Sequence, residues 1–155
     1  KIRKIILSNK SSFNKTTDTL LYLAARSENI NLLKKNFRKK IILVDRFIDS
    51  TIAYQHYGQG VELELINKIN KYLLENLKID FTFLNIVNNK NMVKRLKLRK
   101  SLNRYDKFEI NFYNKVQNGF LKLSKKNIKK YKIVNSNLDI EENKSLIIKK
   151  IEKLI

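Results

Sequence analysis

An α/β domain built on a parallel sheet is what these 155 residues predict. Two patterns carry the expectation. Short apolar runs rich in β-branched and aromatic residues occur at 41–44, 81–87 and 131–134; each is too short for a helix and reads as a buried strand. Between them lie long stretches with apolar residues at helical spacing, and strands joined by long helical crossovers run parallel. With 43% apolar residues, a core large enough for a single domain over residues 1–155 can be buried.

Ile2, Ile5, Ile6 and Leu7 form an amphipathic pattern that is already under way at Lys1, so further chain is expected upstream. A helix is expected over about 17–37, capped by Thr16 or Thr17, with Leu20, Leu21, Ala24, Ile30, Leu33 and Phe37 on its buried side. The run Ile41, Ile42, Leu43, Val44 reads as the first strand. Val61, Leu65, Ile66, Ile69, Tyr72 and Leu73 recur at helical spacing, and the second strand comes next at 81–87. Helices over about 90–99 and 105–124 lead to the third strand at 131–134. A closing helix carries Leu146, Ile147, Ile151 and Leu154.

Composition narrows the function. The chain has no cysteine, which excludes disulfides and thiolate metal sites and points to a reducing, cytoplasmic compartment. Its longest apolar run, from Leu20 to Ala25, is far too short to cross a bilayer. The net charge of +20 invites a nucleic-acid reading. Only seven of the 34 basic residues are arginine, however, the side chain suited to fork-shaped recognition of phosphate and guanine. Lys, Ile and Asn are abundant together while Gly and Pro are scarce, as in a coding sequence rich in A and T. A nucleic-acid partner is therefore not expected, and the charge serves to raise encounter rates with small anions.

In open parallel sheets, ligands gather at the carboxyl ends of strands, where the run 41–44 delivers Asp45 and Arg46. There a carboxylate can hold Mg2+ through water, and a guanidinium can grip a phosphate with two parallel hydrogen bonds. The same pair also reads as a capping Asp beside a surface-paired Arg. The residues after the pair decide between these. The stretch Asp45-Arg46-Phe47-Ile48-Asp49-Ser50-Thr51-Ile52-Ala53-Tyr54-Gln55, ending in Gly58-Gln59-Gly60, resembles the signature of bacterial thymidylate kinases. Leu20-Leu21-Tyr22-Leu23-Ala24-Ala25-Arg26 resembles that family's thymine-binding helix, and Phe81-Thr82-Phe83-Leu84 its fourth strand. Leu102-Asn103-Arg104-Tyr105-Asp106, with Phe112 to Val116 and Gly119 to Leu121, is similar to the segment after its lid. Asn103 and Asp106 stand where the family usually shows Asp and Glu, and His56 and Gln59 where it shows Gly and Arg.

The resemblance implies a nucleoside-monophosphate-kinase-like three-layer sandwich with a parallel sheet, and transfer of the γ-phosphoryl group of ATP to dTMP, giving dTDP, with Mg2+. It implies that Asp45 serves the acceptor phosphate and, through water, the metal, and that Arg46 binds the dTMP phosphate. Arg26 then donates to the thymine, Tyr22 stacks on it, Ser50 and Gln55 add polar contacts, and Tyr54 packs against the sugar where a 2′-hydroxyl would stand. A lid over about 91–104 carries Arg95, Lys97, Arg99 and Arg104, with Arg95 and Arg99 on one helix face and aimed at ATP phosphates. The same spacing also reads as a solvated basic face. His56, the only histidine, has no partner in sequence that would make it catalytic or a metal ligand. The family forms homodimers.

One feature of that family is missing. No Gly-x-x-x-x-Gly-Lys-Ser/Thr occurs, and glycines 58, 60 and 119 cannot build such a loop. The family's first two strands and phosphate loop are thus expected upstream of Lys1, the chain being the C-terminal three quarters of the domain and inactive without the rest. Two alternatives stand beside this reading: a related deoxynucleoside or nucleoside-monophosphate kinase, and a non-catalytic basic α/β module that binds polyanions.

Overall fold

Side-chain caps and apolar spacing account for most elements of the computed structural model, which describes residues 2–37 and 40–155; Lys1 lies outside them. They group into two compact units, one of Lys1–Lys78 with Leu102–Leu123, the other of Ile79–Ser101 with Ser124–Ile155.

The first unit is helical. Helix α1 (Ile2–Leu7) buries Ile6. Helix α2 (Lys15–Lys34) is capped by Asn14, not by Thr16 or Thr17: the Asn14 side chain accepts from the Thr17 amide at 2.8 Å. Its buried positions also differ from those expected. Ile30 is buried as expected, but the other inward residues are Asp18, Thr19 and Leu23, while Leu20 is 47% exposed and Ala24 is exposed. Asp18 faces inward because its polar partners, Arg104 and the Tyr105 hydroxyl, lie there.

Residues 41–44 do not form the expected strand. A strand persists only where a neighbouring backbone completes its hydrogen-bond ladder. None does so for this segment among the described residues. It belongs to no helix or strand, with Ile41 65% and Leu43 78% exposed. Short helix α3 (Ile48–Thr51) comes next, then a π-helical turn (Ile52–Gly58) that leads to α4 (Leu63–Leu74). The turn closes where the Gly60 and Val61 amides donate to His56 and Gln55 carbonyls at 2.8 and 2.9 Å. Gly60 has φ +72°, a conformation that costs glycine nothing. Ile52, Val61 and Ile66 form the core here, with Tyr57, Leu63 and Leu123 packed on it.

The single helix expected over 105–124 is two elements, a 3-10 turn (Arg104–Lys107) and α6 (Ile110–Lys126). Asn103 and Asp106 make a reciprocal capping box, and Phe108 is extended (φ −67°, ψ 150°), which ends the turn. The two departures from the family pattern are thus partners of one another.

The second unit holds the sheet. Strands β1 (Thr82–Ile86) and β2 (Tyr131–Asn135) pair in parallel, with Thr82 opposite Tyr131 and Ile86 opposite Asn135. Leu84 and Val134 are buried. Helix α5 (Asn89–Lys97) is capped by Asn88, and α7 (Ile140–Glu152) by Asp139. The α/β class with a parallel sheet is as expected, with two strands among the described residues in place of three.

Candidate functional site

In the first unit, α2 sets Asp18, Tyr22 and Arg26 at i, i+4 and i+8, one stripe down a helix face. Arg26 reaches the segment after residues 41–44. Its two terminal nitrogens donate to the Arg46 carbonyl at 2.8 Å and the Phe47 carbonyl at 3.0 Å, and its guanidinium lies over the Phe47 ring. Arg46 and Phe47 are therefore held by α2, Arg46 in the left-handed region at φ 60°, and the Asp45-Arg46 pair does not leave the tip of a strand. Arg26 Nε is buried with no hydrogen-bond partner, and burial lowers the pKa of this guanidinium.

Arg46 stands 5.0 Å over the Tyr54 ring. Partial desolvation works against its charge, but the Tyr54 hydroxyl and the Asp45 carboxylate outweigh that and raise its pKa. Tyr54, in the π-helical turn, meets Tyr105, Phe112 and Phe120 edge-on at 6.3, 6.0 and 6.3 Å. Tyr105 in turn meets Tyr22 edge-on at 5.8 Å. Burial raises the pKa of the Tyr22 hydroxyl, so it stays protonated. Tyr22, Arg26, Arg46 and Tyr54 are thus joined by an unbroken series of contacts. Gln55, next in the turn, is 1% exposed and its Nε2 has no partner. Ser50 is half-buried on α3, its amide donating to the Phe47 carbonyl, and Asp45 is exposed beside Arg46.

Asp18 enters this neighbourhood although motif reading did not single it out. It is buried and accepts from Arg104 and from the Tyr105 hydroxyl. Burial first, and then this bond, push the Tyr105 hydroxyl well above the usual phenol range. An acid in the first turn of a helix ordinarily reads as a partner of the helix dipole. The signal that separates Asp18 from that reading is its spacing from Tyr22 and Arg26.

The basic residues expected in a lid divide between the units. Arg104 belongs to the first, paired with Asp18 and donating from Nε to the Ile6 carbonyl at 2.7 Å. Arg95, Lys97 and Arg99 belong to the second and are exposed. Helix α5 ends at Lys97, so Arg95 and Arg99 do not share a helix face; after Lys97 the Arg99 amide donates to the Leu96 carbonyl in a tighter turn. Arg95 itself donates to the Ser136 carbonyl at 2.5 Å. His56 Nδ1 is hydrogen-bonded with the Val61 carbonyl at 2.8 Å, a role within the fold. Among the described residues no three His, Cys, Asp or Glu side chains cluster to hold a metal ion, and no helix is long and apolar enough to cross a membrane.

The thymidylate kinase family model matches residues 1–147. The thymidylate kinase of Mycoplasma capricolum is 38% identical over 99% of this chain and 75% of its own length, and that of Trichodesmium erythraeum is 38% identical over 81% and 58%. The crystal structure of thymidylate kinase from Ehrlichia chaffeensis superposes with a TM-score of 0.71 at 28% identity, covering 99% of this chain and 73% of that one. The likeness runs through the helix with Tyr22 and Arg26, the Asp45–Gln55 stretch and the sheet alike, and the chain belongs to the thymidylate kinase family.

Proposed function

We propose that these residues build the dTMP-accepting side of a kinase that moves the γ-phosphoryl group of ATP to dTMP. The observation that carries this reading is the contact series joining Tyr22, Arg26, Arg46 and Tyr54 in one unit. Tyr22 offers a ring for the pyrimidine to stack on. Arg26 Nε and Gln55 Nε2 are buried donors whose hydrogen bonds a thymine would complete, with Ser50 as a further polar contact. Tyr54 packs against the deoxyribose where a 2′-hydroxyl would clash. Arg46, held over Tyr54, grips the phosphate.

Phosphoryl transfer asks little covalent work of a protein; the reacting groups are aligned and their charge offset. Asp45 is a single exposed carboxylate, a donor set that suits Mg2+ keeping its waters and the substrate's phosphates, not a protein cage. Bound there, Mg2+ supplies neutralising charge to the phosphates. Arg95, Lys97 and Arg99 are the cations assigned to the ATP phosphates. No phosphate-loop motif occurs in residues 1–155, so the ATP cradle is not accounted for by them. Homodimeric assembly and a cytoplasmic setting belong to the same proposal.

Because the acceptor side is what the chain supplies, binding is the direct test. Calorimetric titration with dTMP, dUMP and the ribonucleotide counterpart of dTMP should rank dTMP tightest. Loss of the base methyl should weaken binding by roughly tenfold and the added 2′-hydroxyl by at least as much. Equal affinity for all three would reject the assignment of Tyr22 and Tyr54 to base and sugar. Tight, steeply salt-dependent binding of an oligonucleotide with no response to dTMP would favour the polyanion-binding alternative.

A further inference from the structure

Asp18 is 2% exposed, yet no part of the proposed chemistry uses it. Its carboxylate accepts from Arg104 and from the Tyr105 hydroxyl, one oxygen to each. Arg104 is itself tied down: Nε donates to the Ile6 carbonyl at 2.7 Å, and the guanidinium lies over the Phe13 and Tyr105 rings at 5.6 and 5.1 Å. Tyr105 is 7% exposed and is held at both ends, its hydroxyl by Asp18 and its carbonyl by the Tyr113 hydroxyl at 2.7 Å. Between those two anchors its ring meets Tyr22 at 5.8 Å, Tyr54 at 6.3 Å and Phe108 at 5.3 Å. Tyr105 thus meets both of the rings assigned to thymine and sugar.

We propose that Asp18 is a positioning residue: clamped by Arg104, it fixes the Tyr105 ring, and through it the spacing of Tyr22 and Tyr54 that admits a pyrimidine deoxynucleoside. The inference rests on the reading of Tyr22 and Tyr54 as nucleoside-binding rings. A pocket whose walls are ordered before the ligand arrives loses less conformational freedom on binding, so affinity depends on the support as well as on the contacts. A buried carboxylate with two donors suits this role, since each donor left unpaired inside the protein is costly and the arrangement therefore has one low-energy geometry.

The support acts on the nucleoside part, which separates it from Arg46 and from a role in stability alone. Dissociation constants for dTMP and for thymidine are measured by calorimetry with the whole chain, wild type, Tyr105→Phe, Asp18→Asn and Asp18→Glu, beside thermal unfolding of each. Tyr105→Phe removes one hydroxyl and keeps the ring, so it is the variant that folds even where Asp18→Asn does not. Its constants for both ligands should rise by the same factor, about fivefold or more, since the hydroxyl is hydrogen-bonded with Tyr22 as well as with the charged Asp18. Asp18→Asn should weaken both at least as much, and Asp18→Glu, which keeps an acceptor charge, should recover part of the loss. Tyr105→Phe that melts earlier but binds both ligands as the wild type does would overturn the proposal. If Arg46→Ala loses dTMP and keeps thymidine in that same series, the acceptor reading survives and only the positioning role falls. A wild type that binds neither ligand removes both together.

Discussion

Arg46 shows how a single side chain is aimed by groups that are not its own. Its backbone sits at φ 60°, a region that L residues avoid, and Arg26 holds it there by taking the Arg46 and Phe47 carbonyls as acceptors. That leaves the guanidinium over the Tyr54 ring, with the Tyr54 hydroxyl and the Asp45 carboxylate favouring its charge. Arg46→Gly should therefore relieve the backbone by about 1 kcal/mol, so that thermal unfolding shifts upward or stays level while dTMP binding is lost. A destabilised Arg46→Gly would show that the cation and ring contact outweighs the backbone cost. At this scale much was legible: Tyr22 and Arg26 lie four apart on a helix, and Asp45 to Gln55 is a specific run. Asp18 was not, because burial of an acid depends on partners 86 and 87 residues away.

Elements form where local signals and neighbours agree. Helices α4, α5 and α7 and strands β1 and β2 lie near the places their hydrophobic periods indicate. Residues 41–44 have strand composition but no ladder partner among the described residues, and composition cannot supply one. Neither does periodicity reveal the π-helical turn at Ile52–Gly58, which widens the backbone where Tyr54 and Gln55 are presented. That turn depends on a close approach from α6. A Cβ at Gly119 would lie 2.5 Å from the Tyr57 ring, so Gly119→Ala should force the ring aside and cost about 1–3 kcal/mol in chemical denaturation. Since Tyr57 neighbours Tyr54 and Gln55, the turn's proposed binding residues, the same variant should weaken dTMP binding. Unchanged stability would mean that the ring moves freely and that the turn is not braced by α6.

For the molecule as a whole, charge and architecture carry different messages. A surplus of 20 positive charges, mostly lysine, says little about specificity, because lysine offers a hydrated point charge and not a directional fork. The proposed specificity rests with a few arginines: Arg26, Arg46 and Arg104 lie in the helical unit, Arg95 and Arg99 in the unit that holds the sheet. The α/β class was legible from the alternation of short apolar runs and long helical stretches, whereas the division into two units was not, since contact density between segments distant in sequence leaves no periodic trace. The proposed activity requires one pocket of the helical unit to clasp a pyrimidine deoxynucleotide by its ring and its phosphate. Comparing dTMP with thymidine binding for the wild type and Arg46→Ala tests that requirement at its root. Removal of a charge-assisted phosphate contact should weaken dTMP by roughly tenfold or more and leave thymidine unchanged; an Arg46→Ala protein that binds dTMP as tightly as the wild type would refute it.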